Sequence, residues 1–456
     1  MASRDSGQTA APGWAGLLKT KVFGDASWAL LGQVGSGLVL LVGTRVITEL
    51  VSPEVYGQVA LMAGIVALAV GVFAYPFIFA GMRLLPEVLL NTQRRTLQGI
   101  LNRYIGLASL LALLLIVGGG LAYGEYAGGG DPRLFAIAGL LFLVTVRREL
   151  GVQLFIGERR QRAASLWQTG DSLLRPLFAI GLVCIVGPSA IWVLSGYALA
   201  SLIGNSLAGF LSKTRQPGQS NATPLSDGTL RSEVLAYALP LIPLELLVWF
   251  SGLGDRYVIG YLMTAADVGL YAAAYTLTNE AFNRSALVLL RTFQPLYFSH
   301  SSLGERGEAA RVFKLWLFSV MALGVTGVLA LTLLRDWVAG LLLAREYHAA
   351  AVLMPIIGVG CALQALSMVL AQPLYAMKKT RALLAGRLFG AVIAAVSIPS
   401  MVMWQGLLGA ALAAPVYFGA EALAMALLAR SWRMRLSSER DELVLVAETA
   451  TTGSPT

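Results

Sequence analysis

Stretches of roughly 20 apolar residues recur along the whole chain, and nothing else in it limits the fold as strongly. An α-helix rises about 1.5 Å per residue, so such a stretch spans a hydrocarbon core ~30 Å thick. Backbone inside lipid must satisfy its own hydrogen bonds, which leaves helices or closed barrels. Long unbroken runs, in place of ten-residue alternations, select helices. The sequence predicts spans at roughly 27–49, 55–80, 101–123, 133–156, 164–187, 190–211, 233–254, 270–298, 311–334, 349–376, 383–404 and 406–429. Charges interrupt the fourth, fifth and eighth. Only 13% of residues are charged, about half the share of a water-soluble chain, so lipid covers most of the surface. The expected fold is an all-α membrane protein with about twelve transmembrane helices.

Orientation follows from where lysine and arginine fall. With the N-terminus inside, inner segments hold Lys19, Lys21, Arg83, Arg94, Arg95, Arg159, Arg160, Arg162 and most other basic residues, whereas outer loops hold only Arg133, Arg256, Arg335 and Arg345. The net charge of +9 is thus spread over short loops and is no nucleic-acid footprint. The start of the chain lacks a cleavable signal pattern and reads as leading into a retained helix. The longest polar break, 212–233, is rich in Gly, Pro and Ser and divides the spans six and six. Its Asn221-Ala222-Thr223 sequon is expected inside and is discounted. The expected organisation is an N-terminal six-helix lobe over 1–211, a cytoplasmic linker over 212–232, a C-terminal six-helix lobe over 233–429 and a cytoplasmic tail over 430–456. Even halves enter from one side, so the lobes are parallel repeats about an axis along the membrane normal.

A short internal match agrees. Arg45-Val-Ile is followed by Pro53-Glu-Val-Tyr-Gly57, and Arg256-Tyr-Val-Ile by Ala266-Asp-Val-Gly269. Prolines inside predicted helices, at 76, 176, 240, 243, 355, 373 and 399, are expected to kink them. Gly32, Gly35 and Gly37 are suited to close helix contact. Cys184 and Cys361 lie in apolar runs and read as buried packing residues. With only His300 and His348 available, no histidine metal centre is expected.

The segment Tyr237-Ala-Leu-Pro240-Leu-Ile-Pro243, Trp249, Asp255-Arg256-Tyr-Val-Ile-Gly260, Val268-Gly269-Leu-Tyr271 resembles the seventh-helix region of bacterial polysaccharide flippases. Thr44-Arg45-Val-Ile with Pro53-Glu54-Val-Tyr56-Gly57 resembles that family's first loop, and Gly406-Leu-Leu-Gly409-Ala410-Ala411 the start of its last helix. These O-antigen and exopolysaccharide flippases belong to the multidrug/oligosaccharidyl-lipid/polysaccharide transporter superfamily. The resemblance covers nearly the whole chain. It implies two lobes around a central cavity and, as cargo, an undecaprenyl-diphosphate-linked oligosaccharide moved to the outer leaflet of the bacterial inner membrane. It also implies drive by a proton or sodium gradient, no cofactor, and work beside a polysaccharide polymerase and chain-length machinery.

A charge at bilayer depth costs at least about 2.5–3.5 kcal/mol, so it should face protein or a wet cavity. Arg147, Arg148 and Glu149 on the fourth helix and Asp171 and Arg175 on the fifth lie roughly 10–16 Å from the inner end, at one level. Three arginines against two carboxylates leave one surplus positive charge, which suits a diphosphate held by arginine forks; a salt-bridge brace is the other reading. Glu280, Arg284 and Arg291 share a face of the eighth helix. Arg284 is expected near mid-membrane, as the central cavity cation. Arg45 and Glu49 form either an outer gate or a simple interface pair. Glu245, past the seventh-helix prolines, and Glu421, deep in the twelfth, are candidate proton or sodium sites, because burial favours cation uptake by a lone carboxylate; partnership with an arginine is the alternative.

A multidrug exporter of the same superfamily is the competing function, disfavoured by the excess of arginine at depth. A membrane polymerase or ligase needs a substantial outer loop, and the longest here runs about fifteen residues from Arg335 to Ala349. No phosphate loop or nucleophile elbow appears.

Overall fold

A computed structural model describes residues 35–90, 94–127, 131–157, 160–212 and 227–452. Among them there is no strand. The first helix, α1, covers 35–50. A tight turn leads to α2 (Pro53–Phe73), whose N-cap Ser52 accepts a hydrogen bond from the Val55 amide and whose first position is proline. Proline suits that place because its missing N–H has no helical partner there. The same span continues as α3 (Tyr75–Leu90) after a break at Ala74, next to Pro76. Then come α4 (Arg94–Ala127), α5 (Pro132–Gly157), α6 (Gln161–Val186) and α7 (Ala190–Ser212).

The second half repeats this plan. Its first span is α8 (Asp227–Ala238) and α9 (Leu241–Leu262), broken at Leu239–Pro240. A capping box between Thr264 and Asp267 starts α10 (Ala265–Ser302), satisfying two otherwise orphaned backbone donors. There follow α11 (Arg306–Leu342), a 3₁₀ helix (Arg345–Leu353), α12 (Met354–Leu370), α13 (Gln372–Ala376) and α14 (Thr380–Thr452). The last is two spans: Gln405 and Gly406 leave helical geometry, and Gly406 takes φ 59°, which costs glycine nothing.

Eight of the described helices are long and apolar enough to cross a membrane. The remaining predicted spans are α1, the charge-bearing α5 and α10, and the second arm of α14. Large side chains such as Ile185, Leu333 and Trp404 point outward and are more than 70% exposed, as a surface facing acyl chains requires. The protein is a multi-pass membrane protein, an all-α bundle in two lobes.

Two separate apolar cores define those lobes. One gathers residues from Ile47 to Ala238, the other from Ile259 to Phe418. Leu230, Val234 and Ala238 place α8 in the first core, so the seventh span changes lobes at its proline break. The expected linker lies mostly at 213–226, outside the described residues.

The lobes meet where α1 turns into α2 and α9 into α10. The Tyr257 hydroxyl donates to the Leu61 carbonyl at 2.7 Å, Trp249 Nε1 to Gly64 at 2.8 Å and the Tyr347 hydroxyl to Val51 at 2.9 Å. The Ala344 amide donates to Thr48 Oγ1 at 3.2 Å. In the predicted orientation this is the outer end.

Several expectations need correction. The seventh span continues to Leu262, so Arg256 is a helical residue, 5% exposed, and not part of an outer loop. The expected loop from Arg335 to Ala349 is mostly helix, because α11 runs to Leu342 and the 3₁₀ turn begins at Arg345. Cys361 is buried, but Cys184 is exposed on the outward face of α6. Pro355 lies at the start of α12, where the 3₁₀ turn becomes α-helix, and the span breaks at Ala371, two residues before Pro373.

Candidate functional site

Just inside the lobe contact, α9, α10 and α12 line a half-open pocket of about 250 Å³ with mixed polar and apolar walls. Arg256, Tyr275, Asn279, Glu280, Asn283 and Gln364 contribute its polar lining. On α10 these positions recur at three- and four-residue spacing, which keeps them on one helix face. Tyr56 of α2 lies against Thr276 on that face and Thr44 of α1, and meets Tyr347 edge-on at 5.9 Å.

Arg256 is held by three neighbours on α9 and α10. Its Nη1 donates to the Gly252 carbonyl at 3.1 Å and to Asp255 Oδ1 at 3.2 Å. Its guanidinium lies 4.5 Å from the centre of the Tyr275 ring. Asp255, 1% exposed, also accepts from the Tyr271 hydroxyl at 2.6 Å. A buried ion pair survives when its remaining donors and acceptors are satisfied, and here the Tyr271 hydroxyl and the Gly252 carbonyl contribute to that.

Arg284 lies about 28 Å along α10 from the helix start at Ala265. It pairs with Glu280, one turn back, and donates to Ser36 Oγ of α1 at 2.9 Å. It therefore joins the second lobe to the first. Gly37 makes room: a Cβ there would stand 2.7 Å from Arg284 Nε.

The second cluster lies in the first lobe. Arg148 Nη1 donates to Asp171 Oδ2 at 2.9 Å and pairs with Glu149. Arg175 Nε reaches Asp171 Oδ2 at 2.9 Å, and its Nη2 donates to Ser201 Oγ at 2.9 Å. Ser201 completes the ring by donating to Asp171 Oδ1. The group ties α5, α6 and α7 together. Arg147 is absent from it: Arg147 is exposed, on the α5 face that carries Leu140 and Leu143. Two arginines thus face two carboxylates, and the expected surplus charge is gone. The 100° step between neighbouring helical residues separates Arg147 from Arg148.

Glu421 is not isolated. Arg387 Nη1 donates to its Oε1 at 2.6 Å and Ser367 Oγ at 2.7 Å. Glu245 is half-buried on α9, and its Oε2 is 3.8 Å from the Cβ position of Gly71 on α2. It thus faces the other lobe. Arg45 pairs with Glu49, both partly exposed, and Arg291 is exposed. The structure therefore groups Arg148, Asp171 and Arg175, groups Glu280 with Arg284, and leaves Arg147 and Arg291 apart.

Sequence reading missed Asp255, Arg256 and Arg387 as site residues. The apolar periodicity past residue 254 was the available signal for the first two. Arg387 is the one charge in predicted span 383–404, and Glu421 the one charge in 406–429. Lone opposite charges at similar distances from one turn signal a pair.

Residues 22–289 match the sequence profile of a family described as polysaccharide biosynthesis protein. The chain belongs to that family. Its match covers more than half of the sequence, including α1 to α9 and the Asp255-Arg256 pair. No curated relative matches the chain. Among solved structures, this family member resembles a multidrug resistance MATE transporter of the MOP superfamily in its inward-facing conformation, at 14% identity and TM-score 0.65, covering 90% of this chain and 96% of that one. It resembles the lipid II flippase MurJ in an inward closed conformation, at 12% identity and TM-score 0.62, covering 96% and 93%. It also resembles the Vibrio cholerae MATE transporter VcmN, at 14% identity and TM-score 0.59, covering 91% and 97%. At these identities the likeness establishes the fold, a two-lobed transporter fold.

Proposed function

We propose that this polysaccharide biosynthesis protein is a flippase for undecaprenyl-diphosphate-linked oligosaccharide repeat units, working from the inner to the outer leaflet of a bacterial inner membrane. The observation that carries the reading is the pocket beneath the lobe contact, with Arg284 bound across to α1. An amphiphilic cargo needs a wet, hydrogen-bonding path for its head and open lipid for its tail. Asn279, Asn283 and Gln364 in the pocket offer donors and acceptors for sugar hydroxyls, and Arg284, outside the pocket lining but paired with its Glu280, offers a fork for phosphate oxygens. Cargo phosphate would compete with Glu280 and Ser36 for Arg284, and so loosen the tie between the lobes.

The same reading puts both termini and the linker in the cytoplasm, with the 430–456 tail inside, and divides the lobes at the Leu239–Pro240 break, where α8 leaves the first core. It uses no cofactor. A proton or sodium gradient drives the cycle, and Glu245, which faces the other lobe, is the preferred coupling group. A polysaccharide polymerase and chain-length machinery then take the product. The protein acts as a transporter and not as an enzyme.

The test is flipping in proteoliposomes loaded with an undecaprenyl-diphosphate-linked oligosaccharide. Protein-dependent appearance of sugar on the far leaflet, faster under an imposed ion gradient, is expected. Efflux of cationic dyes without movement of the lipid-linked sugar would replace this reading with the exporter one.

A further inference from the structure

A second groove lies at the far end of the bundle from the lobe contact, between α4 and α8, with a volume of about 390 Å³. Arg103 of α4 and Arg231 of α8 converge on it from distant parts of the chain, beside Thr96 and Tyr104. Both arginines are exposed. Arg231 already has a partner in the chain, but a guanidinium carries five N–H donors and can serve a second acceptor.

The groove opens into lipid. Leu107 lines it, and from there Leu110, Leu111, Leu114 and Leu115 continue along α4, each more than half exposed. Gly99 and Gly106 flank Arg103, and a Cβ on either would meet nothing within 4 Å. The surface between the arginine and the leucines is therefore a shallow trough. Two cations at the head of an apolar stripe match a phosphate attached to acyl chains better than a soluble anion, which would leave the stripe unused.

We infer that this groove binds an acidic glycerophospholipid, its headgroup phosphate between Arg103 and Arg231 and its acyl chains along the exposed leucines of α4. The site has a structural consequence. α8 rests on the first lobe through Leu230, Val234 and Ala238, and continues into α9 of the second lobe across the Leu239–Pro240 break. A phosphate held by both arginines pins α8 to α4, so acidic lipid fixes one arm of the span that connects the lobes. The inference needs only the membrane-embedded fold, and is independent of what the protein transports.

The experiment is thermal unfolding of the purified full chain in a neutral detergent. It is titrated with phosphatidylglycerol, with phosphatidylcholine of the same acyl chains, and with inorganic phosphate. Phosphatidylglycerol should raise the melting temperature saturably and the other two should not. Arg103→Gln and Arg231→Gln should each raise the half-saturating concentration about fivefold, and the double variant more. Arg335→Gln, distant from the groove, should leave it unchanged. Arg103→Lys should retain most of the response, because the charge remains. An equal response to phosphatidylcholine, a response to phosphate alone, or a wild-type response in the double variant would overturn the site. If the double variant is not recovered, either single Gln variant with wild-type half-saturation has the same force.

Discussion

Gly57 and Gly269 each sit against the first-turn carbonyl of the other's helix. A Cβ on Gly57 would overlap the Ala265 carbonyl oxygen of α10, and a Cβ on Gly269 would overlap that of Pro53 on α2. Each glycine lies four residues after the position whose carbonyl its counterpart touches. The contact is thus reciprocal, as a twofold relation between the halves requires. It lets α2 and α10 cross backbone to backbone, closing the lobes at that end.

Gly57→Ala and Gly269→Ala should therefore oppose this closure. The clash is with backbone, which cannot rotate away, so each should cost about 1–3 kcal/mol. A lower melting temperature and slower flipping are expected, with the double variant worse than either. Wild-type melting and rate for Gly57→Ala would show that the crossing is not a closure.

The first-lobe cluster should behave as a brace. Asp171→Asn or Arg175→Gln leaves a buried charge uncompensated and should cost about 3–5 kcal/mol. The pair of changes together should recover part of that loss. Arg147→Gln, on the exposed face, should leave the melting temperature unchanged. Greater destabilisation by Arg147→Gln than by Arg175→Gln would overturn the charge balance described for this cluster.

Arg284 should separate transport from folding. Arg284→Ala should abolish flipping, and Arg284→Lys should restore part of it, since a point charge loses the two-pronged contact. Adding Glu280→Gln to the Ala variant should return stability but not transport. Ser36→Ala removes the hydrogen bond to Arg284, which by itself is worth about 0.5–1.5 kcal/mol. Full flipping by the Ala variant in proteoliposomes would remove Arg284 from the cargo path.

In the second lobe, Glu421→Gln should destabilise through Arg387, and Arg387→Met through Glu421. The double variant Glu421→Leu with Arg387→Met should be near wild type in melting, because a buried pair can be replaced by apolar side chains with little loss. If it flips cargo under an ion gradient as well as wild type, Glu421 is structural. Loss of gradient coupling with normal melting would assign it to ion movement.

Asp255, Arg256 and Tyr271 form the remaining test. Tyr271→Phe removes a hydrogen bond to a buried carboxylate, worth about 1.5–3 kcal/mol. Arg256→Ala should cost more, since it also leaves Asp255 charged and unpaired. Equal melting of Arg256→Ala and wild type would show that the pair contributes nothing to the second lobe.

The sequence by itself determined the membrane class and the all-α, two-lobed architecture of many spans. Those follow from runs of apolar residues and the placement of lysine and arginine, which are one-dimensional properties of a chain crossing lipid. It also brought Arg148, Asp171 and Arg175 to one level, because antiparallel neighbours joined by a short turn keep register. Only the tertiary structure decided which charges face each other. Arg147 and Arg148 are adjacent in sequence, yet one joins an ion-paired ring and the other faces outward, because a helix turns 100° between them. Arg387 met Glu421, and Arg284 met Ser36, across helices whose rotation about their axes is set by packing. That rotation depends on contacts such as Gly37 against Arg284 and Gly57 against Ala265, between residues more than two hundred positions apart, which no local pattern encodes.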